Sequence, residues 1–438
     1  MEVTAFAGLK TVLFLGSPAP ERLAEFSTYD VIGMAGTARS QTPEWMDIHL
    51  PGVFRTLASL GSPIVHYKVC STFDSSPMVG SIGRAIDIAA SIFEGWIPLL
   101  VADPGMGRYQ CFGNLFAVAN GAGHRLDRHP VMARHPITPM SEADLGKHLS
   151  AQTKRRIGLV DFVAMKRGEA EERFRGECQS GAQIVSLDVL DRETLIAAGR
   201  LIWQLGGNPL FGVGSQGFEA ALTAYWQEQG LIQPSPPAPS IGPVERIACV
   251  SGSLSSINAR QIETAMGNCF AGVPLSSELA ADENAWAMEI ERAGSVALKA
   301  LGEGKDVIVY TAAGPEDPAV AVFRTAIQAA GLPPEIAYAR LGAGLGQILD
   351  RIVTTAGLKR AVIAGGDTSG LAASMLGVDA LTAIAPLAPG SPLCRAHSQN
   401  GERDGLELAL KGGQAGGPDF FIRAKGALSS IEIRTGSA

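Results

Sequence analysis

A chain of 438 residues exceeds what one hydrophobic core ordinarily organises, which points to two domains. With 46% hydrophobic and 18% charged residues it has the make-up of a compact α/β protein, not of a disordered or fibrous one. A formal net charge of -7 without a Lys/Arg-rich run speaks against a nucleic-acid surface, and six scattered cysteines without a CxxC pair speak against a zinc ribbon or a disulfide framework.

The chain opens on EVTAFAGLK, which reads as the end of a helix closed by Gly8, so a first strand is expected ahead of Met1. No leader pattern and no apolar run of membrane-spanning length occurs, and the expected location is the cytoplasm, away from membranes. Short apolar runs then follow as candidate strands: TVLFLG, YDVIGMAG, PIVHYKV and IPLLVADP, with amphipathic stretches such as SIGRAIDIAASIFEG between them. Residues 231–244, LIQPSPPAPSIGPV, are too rich in proline to join a helix or sheet interior and are expected to link the domains. Beyond them the alternation resumes: RIACV, a helix from Gln261 to Met266, DVIVYTA, a helix near Ala319 to Ala330, the helical LGQILDRIVTTAG, then AVIAGG and ALTAIAP. LELAL and DFFIR are expected to add strands near the end, in antiparallel fashion. The expected fold class is therefore α/β with two domains, 1–230 and 245–438, each a mostly parallel sheet flanked by helices, with a cleft between them.

Two strand-to-helix turns in the second half suit a phosphate. One is Gly365, Gly366, Asp367, Thr368, Ser369 and Gly370 after AVIA; the other is Ser251, Gly252, Ser253, Leu254 and Ser255 after RIACV. Glycine lets backbone N–H groups approach an anion, hydroxyls add donors and the helix N-terminus favours negative charge. Asp367 could hold Mg²⁺, and the plain alternative is that Asp367 or Thr368 only caps its helix. A third cluster, Gly412, Gly413 and Gly416 after Lys411, reads as a loop able to cover a nucleotide. Neither a Walker P-loop nor a dinucleotide GxGxxG is present.

In the first half, YKVCSTFDSSP sets Lys68, Ser71, Thr72 and Asp74 at a strand end, and GTARS sets Arg39 at another. A polyhydroxylated acid needs a cation for its carboxylate and donors for its hydroxyls, which this set contains. For Arg39 a surface ion pair is the alternative. VGSQGFEAAL places Ser215 at a turn into a helix, where a simple cap competes with a ligand contact.

Together GTARS, YKVCSTFDSSP, HPITPMSEADLGKHL, VGSQGFEAAL, VSGSLSSINARQIETA, AVIAGGDTSGLAASMLGVDAL, APGSPLC and LALKGGQAGGPDFF resemble, in order, the four-carbon acid sugar kinase family. The resemblance implies that the N-terminal domain binds a small sugar acid and the C-terminal domain binds ATP with Mg²⁺. Beside it, Arg39, Lys68, Ser71, Thr72 and Ser215 stand as the candidates to meet the acid, and the resemblance is compatible with a homodimer. Under it the residues at Ser251, Gly252, Ser253, Ser255, Gly365, Gly366, Asp367, Thr368, Ser369, Gly370, Gly413 and Gly416 meet ATP, with Asp74 and Asp367 as catalytic candidates. The chain departs from the family in three places. An acidic DDFTG-type motif is expected ahead of Met1, where it would supply the catalytic base. Lys68 to Asp74 stand where many members carry KxDSTLRG, and KGGQAG replaces a KSGNFG-like loop. The alternatives are a dinucleotide-dependent oxidoreductase and a non-catalytic sensor.

Overall fold

The computed structural model describes residues 1–119, 121–135, 138–207, 209–233 and 241–426, without the side chains of residues 367–369. Most of the proline-rich stretch, residues 234–240, thus lies outside the described residues. The chain folds as two compact units, one of Gly36–Pro234 and the other of Met1–Ala35 with Ser235–Ala438.

Strands β1 (Thr11–Phe14) and β2 (Val31–Met34) open the chain. The first unit then contains β3 (Ile64–Lys68), β4 (Ile97–Leu100), β5 (Arg108–Cys111), β6 (Asn114–Ala119), β7 (Ala122–Arg125), β8 (Ile157–Val160), β9 (Ile184–Leu187) and β10 (Leu210–Gly214). Five of these form a parallel sheet in the order β3-β10-β4-β9-β8, while β5, β6 and β7 form a separate antiparallel sheet. The central strands β10, β4 and β9 are buried along their whole length, as parallel strands covered by helices on both faces must be.

The second unit adds β11 (Ala248–Ser251), β12 (Phe270–Pro274), β13 (Asp306–Tyr310), β14 (Arg360–Ala364), β15 (Ala380–Ala388), β16 (Ser391–His397) and β17 (Glu407–Lys411). Its nine strands run in the order β12-β13-β11-β14-β17-β16-β15-β1-β2, parallel from β12 to β17 and antiparallel from β17 through β16 and β15 to β1.

The expected boundary at residue 230 therefore moves, because residues 1–35 pack with the C-terminal unit. Phe14 pairs with Ala380, and Val12, Phe14, Phe26 and Ala380 share one small core. Arg22 adds a two-pronged ion pair to Asp379, with both N–O distances 2.9 Å. DFFIR is corrected as well: it lies in a helix, Phe420–Gly426, whose Phe420, Phe421 and Ala424 fill the sheet's far face. Five residues are too few to separate periods of 2 and 3.6. LELAL is a strand, β17, but it runs parallel to β14 and antiparallel only to β16.

Candidate active site

In the second unit the strands β11, β14 and β17 are neighbours, so their C-terminal ends release three loops side by side. Ser251 pairs with Ala364, and Ala364 with Lys411. The Gly252 amide donates to the Ala364 carbonyl at 2.9 Å and the Gly365 amide to the Lys411 carbonyl at 2.9 Å, which extends the ladder into the turns. Sites of open parallel sheets form at such strand ends.

One buried side chain ties two of these loops together. Asn258, fully buried in the first turn of helix Ser256–Met266, donates to Ser251 Oγ at 2.9 Å and accepts from Lys411 Nζ at 3.2 Å. Ser255 caps the same helix by accepting from the Asn258 amide at 3.0 Å, and its hydroxyl donates to the Gly413 carbonyl. One turn on, Gln261 Nε2 gathers the carbonyls of Ala415, Gly416 and Gly417 at 2.9, 3.1 and 2.9 Å. A trans peptide points its N–H opposite its C=O, so the amides of Gly416 and Gly417 turn away from Gln261.

Gly413 has a specific reason to be glycine, since a Cβ there would overlap the Ser253 hydroxyl and touch Ser255 at 3.4 Å. Gly413→Ala should therefore push the two loops apart and raise the KM for ATP about tenfold, with the KM of the second substrate unchanged in initial-rate kinetics.

Lys411 is buried at the end of β17 with Asn258 Oδ1 as its hydrogen-bond acceptor and the rings of Phe420 and Phe421 at 5.6 and 5.9 Å. Burial pushes its ammonium down to about 8. Beside Gly252 a mainly apolar pocket opens, lined by Leu254, Thr311, Val320, Phe323 and Tyr338. Gly366 leads into the helix Asp367–Met375. The side chains of Asp367, Thr368 and Ser369 lie outside the described part. Among the described residues no group of three His, Cys, Asp or Glu side chains is placed to hold a metal.

In the first unit, β3, β10 and β4 are neighbours and end together. Lys68 closes β3 with an exposed side chain, and Ser71 is half-buried. Asp74 is buried and pairs with Arg39 Nη2 at 2.9 Å, while accepting from Thr72 Oγ1 at 2.5 Å and Thr138 Oγ1 at 3.5 Å. Burial alone would raise its pKa, but the Thr72 hydroxyl and the Arg39 charge outweigh it and hold the carboxyl below its usual value. Held in this way, the carboxyl stays ionised with both oxygens engaged.

Ser215 is fully buried, donates to the Val101 carbonyl and accepts from the Gly217 amide at 3.0 Å, so its hydroxyl is consumed by the helix cap. The two glycines of VGSQG have a packing reason. A Cβ on Gly214 would collide with the Leu100 carbonyl, and one on Gly217 with that of Ala102.

Sequence patterns drew attention to the turns but missed Asn258, Gln261, the apolar pocket, and Asp103 with Arg108 after β4. Asn258 and Gln261 look in sequence like ordinary helix positions, and the only signal for Lys411 was its place directly before the glycines.

The chain matches a sugar-binding N-terminal domain over residues 1–222 and a nucleotide-binding C-terminal domain over residues 248–421. It is 48% identical over 422 residues to the 3-oxo-isoapionate kinase of Paraburkholderia graminis, covering 96% of this chain and 90% of that protein. It is 28% identical to the 3-oxo-tetronate kinase of Cupriavidus necator, covering 95% and 91%, and 30% identical to that of Methylobacterium radiotolerans, covering 95% and 93%. The fold is shared with a Haemophilus influenzae protein at a TM-score of 0.70, 24% identity and coverage of 97% and 95%. It is also shared with a Salmonella typhimurium LT2 protein described as a putative tRNA synthase, at 0.75, 22%, 96% and 95%. These last two likenesses speak to architecture alone, whereas the domain matches and curated relatives set aside the oxidoreductase alternative: the chain belongs to the four-carbon acid sugar kinase family.

Proposed function

We propose that this protein transfers the γ-phosphoryl group of ATP to a hydroxyl of a branched 3-oxo sugar acid of the 3-oxo-isoapionate type. The observation that carries the reading is the junction of the loops after β11 and β17 at Asn258, combined with the 48% identity to a 3-oxo-isoapionate kinase against 28% and 30% to 3-oxo-tetronate kinases.

The purine fits the apolar pocket beside Gly252, because a flat heteroaromatic ring gains most from apolar walls such as Phe323 and Tyr338. The phosphates then fall to the glycine turns, where the amides of Gly416 and Gly417, the N-termini of the helices beginning at Ser256 and Asp367, and the Lys411 charge all favour an anion. Asp367 is the candidate residue to hold Mg²⁺, which would supply positive charge to neutralise the transferring group.

The acid lies with the strand ends of the first unit, where Lys68 offers a solvated ammonium and Asp74 holds Arg39 in place. In the reaction the substrate hydroxyl oxygen forms a bond to the γ-phosphorus, the bond from that phosphorus to the β,γ-bridging oxygen breaks, and ADP leaves while the hydroxyl proton passes to solvent or a carboxylate. Such a loose transition state asks more of positioning and charge neutralisation than of a strong base. The reading carries with it a cytoplasmic location.

A coupled assay for ADP across four- and five-carbon sugar acids tests it. ADP formation should depend on the acid, with kcat/KM highest for 3-oxo-isoapionate; ADP release no faster with any acid than without one would leave only the sensor alternative.

A further inference from the structure

Arg108 stands out because no carboxylate forms an ion pair with it among the described residues. It opens β5, straight after the loop that follows β4, and its amide donates to the Asp103 carbonyl at 3.0 Å. The short helix Pro104–Met106 and Gly107, at a φ of 65°, double the chain back so that Arg108 Nη1 donates to the carbonyls of Met106 and Gly107 at 3.1 and 3.3 Å. Nε is sealed from water and has no hydrogen-bond partner. No Asp or Glu lies within ion-pair distance of this guanidinium among the described residues. A half-buried cation without a carboxylate is costly, and such groups persist where a ligand supplies the missing charge.

The place is also right. The charge of Arg108 is felt by His129, and that of Arg108 is in turn influenced by Cys70 and Asp103. Cys70 follows β3 and Asp103 follows β4, the two strands on either side of β10, so Arg108 belongs to the same group of strand ends as Lys68 and Ser215. The Asp103 carboxylate is already engaged, accepting from the Gly105 amide at 3.0 Å and Gln216 Nε2 at 3.3 Å. Arg39, by contrast, has a carboxylate partner in Asp74.

We infer that Arg108 is the residue that grips the substrate carboxylate, through the Nη2 end of its fork. The backbone carbonyls hold Nη1 and fix the plane, which leaves Nη2 to meet an arriving carboxylate in a charge-assisted hydrogen bond. Lys68 and the neighbouring donors then serve the hydroxyl groups. This assignment rests on the sugar-acid kinase reading and names the group that makes the enzyme prefer acids.

The test compares the full-length protein with Arg108→Met and Arg108→Lys. Calorimetry without ATP measures affinity for a sugar acid and for its neutral carboxamide, and kinetics measure the KM of acid and of ATP. Arg108→Met should weaken acid binding about a hundredfold, abolish the preference for the acid over the carboxamide, and leave the KM for ATP unchanged. Arg108→Lys should recover part of the loss, since a point charge replaces the fork. The melting temperature of Arg108→Met should hold or rise as the unpaired charge is removed. Acid affinity kept within threefold in Arg108→Met, or an equal loss for acid, carboxamide and ATP, overturns the assignment. If the unaltered protein forms no ADP yet binds the acid through Arg108, the kinase reading fails and the assignment stands; if it turns over and Arg108→Met does so with the same KM, the reverse holds.

Discussion

Arg360→Met is expected to destabilise the unit that contains the nucleotide-binding strands by about 3 kcal/mol, the largest loss from any single substitution considered for this fold. Arg360 begins β14, the strand that leads to the Gly365 turn, and is almost fully buried. Its guanidinium pairs with Glu407 Oε2 at 2.6 Å and donates to the carbonyls of Ala424, Lys425 and Gly242 at 3.0, 2.8 and 3.0 Å. It thus ties the first residue of β17, the helix Phe420–Gly426 and the segment entering β11 to one point. Methionine fills much of the volume but removes this donor from the Ala424 and Gly242 carbonyls and from a partly covered carboxylate, while the Lys425 carbonyl keeps only the Val244 amide. For a unit of this size the melting temperature should fall by about 6–12 °C in differential scanning calorimetry. A drop under 2 °C would mean that water replaces the guanidinium without cost. Arg360→Lys should recover little, because one ammonium cannot reach four acceptors.

How far such features could be read beforehand depended on how local they are. The turns after β11 and β14 were legible because a strand, two or three Gly/Ser residues and a helix lie within fifteen residues of each other. The parallel sheets followed from the spacing of apolar runs. What escaped involved partners distant in sequence or patterns too short to resolve. Strands β1 and β2 join the C-terminal sheet through Phe14 with Ala380 and Arg22 with Asp379, contacts more than 350 residues apart. In the candidate site, glycine and hydroxyl residues advertise themselves, yet Ser215 turned out to be a cap, and Asn258 and Arg108 take their significance from neighbours that only the fold supplies. The setting of Asp74 is of the same kind, because its partners Arg39 and Thr138 come from segments distant in sequence.

Lys411→Met should affect stability and activity in opposite directions. At neutral pH the folded protein keeps this ammonium charged and buried against Asn258 and two phenylalanine rings, with no carboxylate paired to it among the described residues. Removing it relieves a desolvation cost, so the ligand-free protein should melt at an equal or higher temperature. The same change removes a positive charge from beneath the loops proposed to hold the triphosphate, and the KM for ATP should rise at least tenfold while the KM for the acid is unchanged. The pH dependence gives an independent check. The folded ammonium loses its proton near about 8, whereas an unfolded lysine keeps it to about 10.4. ATP affinity should therefore weaken as pH rises through about 8. Across the window between the two values the unfolded state binds more protons, so stability of the ligand-free protein gains with rising pH. Both trends should vanish in Lys411→Met. A variant that melts lower and still shows the alkaline loss of ATP affinity would identify Lys411 as a structural post for Asn258 and leave the phosphate charge to be supplied by other groups.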